Sequence, residues 1–330
     1  MLKGFAAYSL PGNTEITAIE GSFGPFDLDN PQTAEVFVLN AWNDSPQALT
    51  GNLISELKTI ESRLLEISLT TLQTEIVGTG EGEWMAMVET ARKQMMAGIF
   101  QKVVLSRSEK VAFNGLLWPA FSRAVEQNPD AFVYCIHHPL YGCWMGATPE
   151  LLLKGSNGSY ETVALAGTLT PEQPTWSPKE EKENSVTNDF VGMMIEQCGG
   201  KNLQTSSRKE IHSGHLRHLM VKRRFDLDTE KEGLLLKSLH PTPAVGGEPR
   251  NSALEFIAAQ EKHRRGLYTG WIGLAGAQSL EVYVNLRCAR LFKNAAILYA
   301  GAGLNSDSNW QLEWKETAEK MAVIGKYLNG

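Results

Sequence analysis

The sequence predicts a mixed α and β fold that is rich in antiparallel strands. Short apolar segments such as residues 35–39 lie between turn residues throughout the first eighty or so residues, which is typical of strands. Residues 81–97 carry apolar side chains at helical spacing, and a strand pattern follows at 101–106. After residue 270 the pattern returns to strands, so both kinds of element belong to one fold.

The remaining elements follow from the same two periodicities. Strand patterns cover residues 131–137, 141–146, 160–165, 270–274, 280–292 and 295–300. Helical patterns cover residues 179–197 and 252–265, and a last helix ends near Leu328. The chain shows no fixed repeat period and no heptad, which excludes solenoid and coiled-coil architectures.

Composition describes an ordinary globular protein. The 330 residues are 42 % hydrophobic, enough for a large core. The formal charge of −6 argues against nucleic acid or an anionic membrane as the main partner. No stretch has signal-peptide or transmembrane character, so we expect a cytoplasmic protein. The four cysteines are widely spaced and predict reduced core thiols: Cys135, Cys143, Cys198 and Cys288.

Two charged residues stand where the pattern predicts a core. Lys102 shares a strand face with Val104 and Ser106, so its side chain either extends to solvent at the strand end or acts chemically. Burial would lower its pKa and allow it to act as a general base. Glu150 follows a proline and opens an apolar segment; it is either an exposed loop carboxylate or a buried general acid kept protonated.

A stripe of charges on the last helix predicts a metal and anion site. Glu313, Glu316 and Lys320 are three and four residues apart, and they follow a glycine loop formed by Gly301, Ala302 and Gly303. Glu183 lies on the inward stripe of the helix at 179–197. Two carboxylates from separate helices, a substrate carboxylate and waters would suit Mg²⁺, whereas the alternative is a pair of unrelated salt bridges.

Arg287 lies on a predicted strand face with Tyr283 and Asn285, and that face resembles a pocket wall. Its guanidinium offers a fork for a carboxylate. His212, His215 and His218 have a spacing that could place imidazoles on one helix stripe, but no other ligand signal accompanies them. We therefore interpret them as surface histidines.

Taken together, these segments resemble the chorismate-utilising enzymes, which include isochorismate, salicylate, anthranilate and aminodeoxychorismate synthases. Eight segments carry the resemblance in the family's order: KVVLSR from Lys102, ATPELLLK from Ala147, LAGT from Leu165, LHPTPAVGG-PR ending at Arg250, E-x3-RGLYTGWIG from Glu261, NLRCAR from Asn285, YAGAGL from Tyr299 and EWKET-x2-K from Glu313. The resemblance covers residues from about 85 to the C-terminus.

The resemblance implies a single large domain in which two antiparallel sheets stack and helices cover the outside. Residues 85–330 would form the chorismate-binding catalytic core and residues 1–84 a β-rich part of the same fold. It also implies an isochorismate synthase of menaquinone type that depends on Mg²⁺. In this interpretation Lys102 activates water, and Glu150 protonates the hydroxyl that leaves.

The remaining site residues are also implied by the resemblance. Glu183 and Glu316 match the Mg²⁺ ligands, and Glu313 is their outer partner. The groups that hold the substrate or line its pocket match Thr168, Gly167, His240, Arg287, Gly301, Ala302, Gly303 and Lys320.

Some positions depart from the family pattern or bear on rival functions. Asn184 stands where a histidine is usual, and Leu169 and Thr170 stand where an arginine is common. Ala166 replaces the nucleophilic lysine that aminodeoxychorismate synthases usually carry. The rivals are a salicylate synthase, which also eliminates pyruvate, and a subunit that works with a glutaminase or only binds chorismate without catalysis. The presence of both Lys102 and Glu150 argues against a silent subunit. The short N-terminal part favours an enzyme without a glutaminase partner.

Overall fold

The computed structural model describes residues 4–29, 34–72, 78–171 and 175–328. Within them the chain forms seventeen strands and seven α-helices. The helices are α1 (Leu57–Glu66), α2 (Glu81–Met96), α3 (Leu117–Gln127), α4 (Pro178–Gln197), α5 (Glu232–Leu239), α6 (Arg250–Gln260) and α7 (Trp310–Gly325).

The strands occur in groups between these helices. The N-terminal group is β1 (Gly4–Ser9), β2 (Thr17–Pro25), β3 (Val36–Asn40) and β4 (Gln47–Ile54). The middle group is β5 (Lys102–Ala112), β6 (Phe132–His138), β7 (Gly142–Thr148), β8 (Leu151–Ser156), β9 (Ser159–Leu169), β10 (Lys201–Thr205), β11 (Lys209–Ser213) and β12 (Leu216–Asp226). The C-terminal group is β13 (Gly247–Glu248), β14 (Trp271–Gly276), β15 (Ser279–Val284), β16 (Cys288–Leu291) and β17 (Ala295–Leu304).

Every strand pair in the described residues is antiparallel, and hydrogen bonds connect all seventeen strands. The pair β5 and β17 is one of the longest, since 103–112 pairs with 295–304 without a break. Strands β9 and β12 form another long pair, interrupted by one bulge. These two pairs carry most of the side chains of the site described below.

The core shows that strand faces pack on each other and that helices cover the outside. One apolar cluster draws on β1, β3, β6, β14 and β17 and includes no helix residue, so it lies between sheet faces. Three other clusters pack helices against the remaining strand faces. The predicted mixed fold of antiparallel sheet with outer helices is therefore confirmed.

Helix ends are defined by side chains that the sequence shows directly. Ser177 and Glu180 form a capping box at the start of α4, and Pro178 occupies its first turn. The Asn309 side chain accepts from two backbone N–H groups at the start of α7. Arg107 of β5 then fixes α7 from the side, because it donates to Thr317 at 2.7 Å and stacks on Trp314.

The structure also corrects several predicted boundaries. Helix α1 was not predicted, and α6 ends at Gln260 rather than residue 265. The strand predicted at 280–292 is two strands, since the chain breaks at residues 285–287. All four cysteines are buried and free, as predicted. Among the described residues, no helix is long and apolar enough to cross a membrane.

Two glycines bring β2 and β4 unusually close together. Gly21 lies directly opposite Gly51 in this antiparallel pair. A Cβ added to Gly21 would lie 1.9 Å from the carbonyl oxygen of Thr50, which is backbone and cannot rotate away. The close approach of the two strands therefore requires glycine at this position.

We expect Gly21→Ala to lower the free energy of unfolding by about 1–3 kcal/mol, because the two strands must separate to admit the methyl group. Gly24→Ala is the matched control, since a Cβ there meets nothing within 4 Å in the same strand. Urea unfolding of both variants measures the difference. Equal stability of the two variants would contradict the close approach.

Candidate active site

A cavity between the strand pairs β5–β17 and β9–β12 and helix α4 collects charged side chains from distant parts of the sequence. Its lining includes Lys102, Glu150, Thr168, Glu183, His218, Arg287 and Lys320. Glycine backbone at positions 167, 301 and 303 completes the wall. Ionised side chains are rarely buried unless they are paired or functional, so this cavity is the candidate active site.

Lys102 lies at the first position of β5 and is only 6 % exposed. Burial lowers the pKa of its ammonium, although the Glu183 carboxylate opposes this shift. Lys179 and Lys320 lower the pKa of Lys102 further. The net shift of the Lys102 pKa is toward the neutral amine, which is the form that accepts a proton.

Glu150 lies at the corner between β7 and β8 and is 3 % exposed. Burial raises its pKa to about 8, against the opposing charges of Arg287 and Lys102. A carboxyl group with this pKa is protonated at neutral pH. Glu150 thus has the protonation state of a general acid.

Arg287 and His218 lie side by side in the wall of the cavity. The Arg287 side chain donates to His218 Nε2 at 3.3 Å, and the Nε atom of Arg287 is buried without a partner. Burial, and then the charges of Arg287 and Lys320, hold the pKa of His218 well below its ordinary value. Because a guanidinium only donates, the neutral His218 accepts at Nε2 and donates from Nδ1 to Thr168 Oγ1, 3.1 Å away.

Arg287 also has strained backbone. Its φ is 48°, which is rare for a side chain of this size. Strained backbone persists only where neighbouring contacts stabilise it. Here the carbonyl oxygen of Arg287 accepts a hydrogen bond from the N–H of Ala147 in the neighbouring strand. This conformation, at the break between β15 and β16, turns the guanidinium into the cavity.

Gly167 creates a bulge that shapes the opposite wall. The register of β9 and β12 shifts there, and the φ of Gly167 is +82°. An added Cβ would lie 2.8 Å from the Glu180 carbonyl of α4, so glycine permits the helix to approach. Asn184 then ties α4 to the strands, because its amide donates to Leu219 O at 2.9 Å and to Ala164 O at 3.3 Å.

The glycines of β17 make room for charged groups. A Cβ on Gly303 would lie 3.1 Å from Glu183 Oε2 and 3.2 Å from Lys102 Cε. Lys320 donates to the Gly301 carbonyl at 2.9 Å and pairs with Glu316 at 2.5 Å. Lys320 therefore closes the cavity from α7.

Three carboxylates surround Lys179 beside the cavity. Its ammonium lies 2.5 Å from Glu313 and 3.9 Å from Glu183. Burial alone would lower the pKa of Lys179, but Glu313, Glu316 and Glu183 raise it above its ordinary value. For Glu316, burial is outweighed by Lys320 and Lys179, so its pKa is lowered.

These carboxylates have the chemistry of a Mg²⁺ site. Glu313 Oε2 is buried without a hydrogen-bond partner, and burial raises the pKa of Glu313 to about 7 although Lys179 opposes this. Carboxylate oxygens are the donors that Mg²⁺ prefers. In the described part of the chain, however, no three His, Cys, Asp or Glu side chains converge as a metal-binding group, and Lys179 now lies among the acids.

The structure places three of the sequence-derived residues differently from expectation. His240 does not line this cavity; it lies in a separate surface pocket and donates to the Thr269 carbonyl at 2.8 Å. The Ala302 side chain packs into the core beside Trp84 instead. His218, interpreted as a surface histidine, is 3 % exposed and lines the cavity on a strand.

A buried ion pair that holds the cavity walls was not singled out from the sequence. Arg265 and Glu261 pair at 2.7 Å with side chains 1 % and 4 % exposed. Arg265 donates to the carbonyls of Val104 and Val245, while Glu261 accepts from Ser106 N–H. The only sequence signal was the E-x3-R spacing within a family segment.

The chain belongs to the chorismate-binding enzyme family, because the family model described as "Chorismate binding enzyme" matches residues 29–329. It is 32 % identical over 264 residues to anthranilate synthase component 1 of Aeropyrum pernix, covering 74 % of this chain and 59 % of that protein. It is 30 % identical over 244 residues to isochorismate synthase EntC of Escherichia coli, covering 68 % and 61 %.

Solved structures agree on the fold. The menaquinone-specific isochorismate synthase MenF of Escherichia coli superposes with a TM-score of 0.83 at 21 % identity, covering 99 % of this chain and 89 % of that chain. Anthranilate synthase component I of Streptococcus pneumoniae gives 0.67 at 20 % identity, covering 89 % and 75 %. The chain spans less than two thirds of the length of the two curated relatives named above, 59 % of the A. pernix enzyme and 61 % of EntC.

Proposed function

We propose that this protein is an isochorismate synthase that converts chorismate into isochorismate. The observation that carries the proposal is that one cavity holds a lysine whose pKa is lowered and a glutamic acid whose pKa is raised to about 8. Both pKa shifts are in the direction that water addition needs from its base and its acid. Family members that act on chorismate as isochorismate synthases are among the relatives.

In the proposed reaction, Lys102 takes a proton from water as the water oxygen bonds to the ring carbon beside the carboxylate-bearing carbon. The ring double bonds shift, and the bond to the distant hydroxyl breaks. Glu150 gives its proton to that hydroxyl, which leaves as water. Atoms therefore balance, because one water enters and one leaves, and both catalytic groups must exchange a proton before the next cycle.

The substrate is a dianion, and the cavity offers matching donors. Arg287 has a buried Nε without a partner, and Lys320 lies beside the Gly301 carbonyl. We assign these two cations to the substrate carboxylates, with Thr168 and the backbone around Gly167, Gly301 and Gly303 lining the ring. Ala302 contributes only its backbone to this set.

Mg²⁺ would be held by Glu183 and Glu316, with Glu313 as their outer partner, and Lys179 would move away from them. When bound, the ion would neutralise a substrate carboxylate. We further propose that the protein acts in the cytoplasm and needs neither nucleic acid, membrane nor a glutaminase partner.

Residues of the cavity favour this activity over its rivals. Ala166 lines the wall, so the nucleophilic lysine of aminodeoxychorismate synthases has no counterpart at that position. Lys102 occupies the place of a water-activating base, whereas enzymes that use ammonia do not need one. Salicylate synthase would share Lys102 and Glu150, and only its product distinguishes it.

The direct test is incubation of the pure protein with chorismate and Mg²⁺, followed by chromatographic separation of isochorismate, salicylate and pyruvate. We expect isochorismate without pyruvate. Lys102→Met should abolish turnover and leave chorismate binding largely intact, because the amine acts on water rather than on the substrate. Lys110→Met, an exposed lysine of the same strand, is the matched control and should remain fully active.

Each alternative gives its own result in this assay. Salicylate and pyruvate would establish the salicylate synthase. Turnover only with ammonia or an added glutaminase would establish a synthase subunit that transfers nitrogen. Full activity of Lys102→Met would remove the lysine from the mechanism.

Removal of Lys179 tests the metal site without relying on activity. We expect Lys179→Met to bind Mg²⁺ roughly tenfold more tightly in calorimetry without chorismate, because the competing ammonium is gone. Lys182→Met, exposed on the same helix, should leave the affinity unchanged. An unchanged or weaker affinity in Lys179→Met would contradict the assignment of these carboxylates to Mg²⁺.

A further inference from the structure

A second cavity of about 570 Å³ lies next to the active-site cavity. Six side chains define its character: Trp42, Tyr141, Trp144, Arg264, Arg290 and Tyr299. Tyr299 stacks on Tyr268 with ring centroids 5.7 Å apart, and Tyr268 lines the active-site cavity. One pair of stacked rings thus connects the linings of the two cavities.

Aromatic side chains line part of this second cavity: Trp42 and Tyr141 are half-buried, whereas Trp144 and Tyr299 are only 1 % and 6 % exposed. Trp144 stacks on Tyr299 with centroids 5.3 Å apart and an interplanar angle of 19°. The Trp144 indole is held in place, since its N–H donates to the Tyr141 carbonyl at 3.0 Å. Trp42 is held by Arg265, whose guanidinium lies 4.3 Å from the Trp42 ring. Fixed rings of this kind bind a planar ligand at little entropic cost.

Two of the arginines at the cavity, Arg264 and Arg290, are cations without an ion-pair partner among the described residues. The Nε atom of Arg290 is buried without a hydrogen-bond partner, whereas Arg264 is exposed. Of the two acids at the cavity, Glu261 pairs with Arg265, whereas Asp44 accepts from the neutral Tyr141 hydroxyl and keeps its negative charge.

The remaining titratable group, His263, does not change the charge of the cavity. Burial lowers the pKa of His263, so the imidazole is neutral at pH 7, and its Nε2 contacts Ser106 Oγ at 2.9 Å. The cavity therefore combines aromatic side chains with two arginines, one carboxylate and a buried Arg290 Nε that lacks a hydrogen-bond partner. A buried donor without a partner is costly unless a ligand satisfies it.

We propose that this second cavity binds a small aromatic carboxylate. Its ring would lie against the tryptophan and tyrosine walls, and its carboxylate would accept from Arg290, with Arg264 at the exposed side. A neutral ring would leave the guanidinium of Arg290 unsatisfied. Inorganic phosphate would satisfy it but would leave the aromatic walls unused.

Calorimetric titration with benzoate tests the proposal, because benzoate is a small aromatic carboxylate. We expect binding in the millimolar range or tighter. Arg290→Met should weaken it about tenfold or more, since a charge-assisted contact is lost, and Arg264→Met should weaken it less. Arg208→Met, an exposed arginine elsewhere, is the matched control and should bind like the unaltered protein.

The active-site cavity also offers cations to a carboxylate, so a further variant separates the two sites. Benzoate binding that persists in Arg287→Met and is lost in Arg290→Met supports the second cavity. Binding lost in Arg287→Met and retained in Arg290→Met would place benzoate in the active site and overturn the proposal. Phenol or phosphate binding as tightly as benzoate would overturn the ligand class. If Arg290→Met does not fold, unchanged binding in Arg264→Met counts against the proposal.

Discussion

The structure depends on burying charges of both signs in one place. Removing an ionised side chain from water costs several kcal/mol even after relaxation, unless an opposite charge or a pKa shift offsets it. Here Glu183 opposes Lys102, Glu316 pairs with Lys320, and Glu313 pairs with Lys179. Glu150 is the exception, because burial outweighs the nearby cations and leaves it protonated. The protonated state of Glu150 is a consequence of that incomplete charge balance.

Such a charge cluster needs a rigid support. The β5–β17 pair places Lys102 next to the glycines of β17, and those glycines leave the space that Lys102 and Glu183 occupy. The Glu261–Arg265 ion pair then holds β5 to the loop at Val245 through backbone groups on both sides. Removing either partner would leave a buried charge uncompensated, so we regard this pair as a positioning element for the cavity walls.

Much of this could be predicted from the sequence, and the failures have physical reasons. Lys102 and Glu150 were visible because a charge inside an apolar strand pattern is unusual. The spacing of the histidines predicts a surface helix stripe for His218, whereas the residue lies on β12 and faces a cavity that only the pairing with β9 creates. His240 was placed in the site by resemblance alone. The position of Lys179 among three acids depends on how α4 meets α7, which no local pattern encodes.

The central claim is that burial keeps Glu150 protonated at neutral pH. Infrared difference spectra recorded across a pH titration observe the carbonyl stretch of protonated carboxyl groups directly. The account predicts a band that is lost with a midpoint near pH 8, where the pKa of Glu150 lies, and that is absent from Glu150→Gln. Ordinary carboxyl groups are already ionised above about pH 6. If the spectra above that pH contain no band that disappears in Glu150→Gln, Glu150 is not kept protonated and the account is wrong.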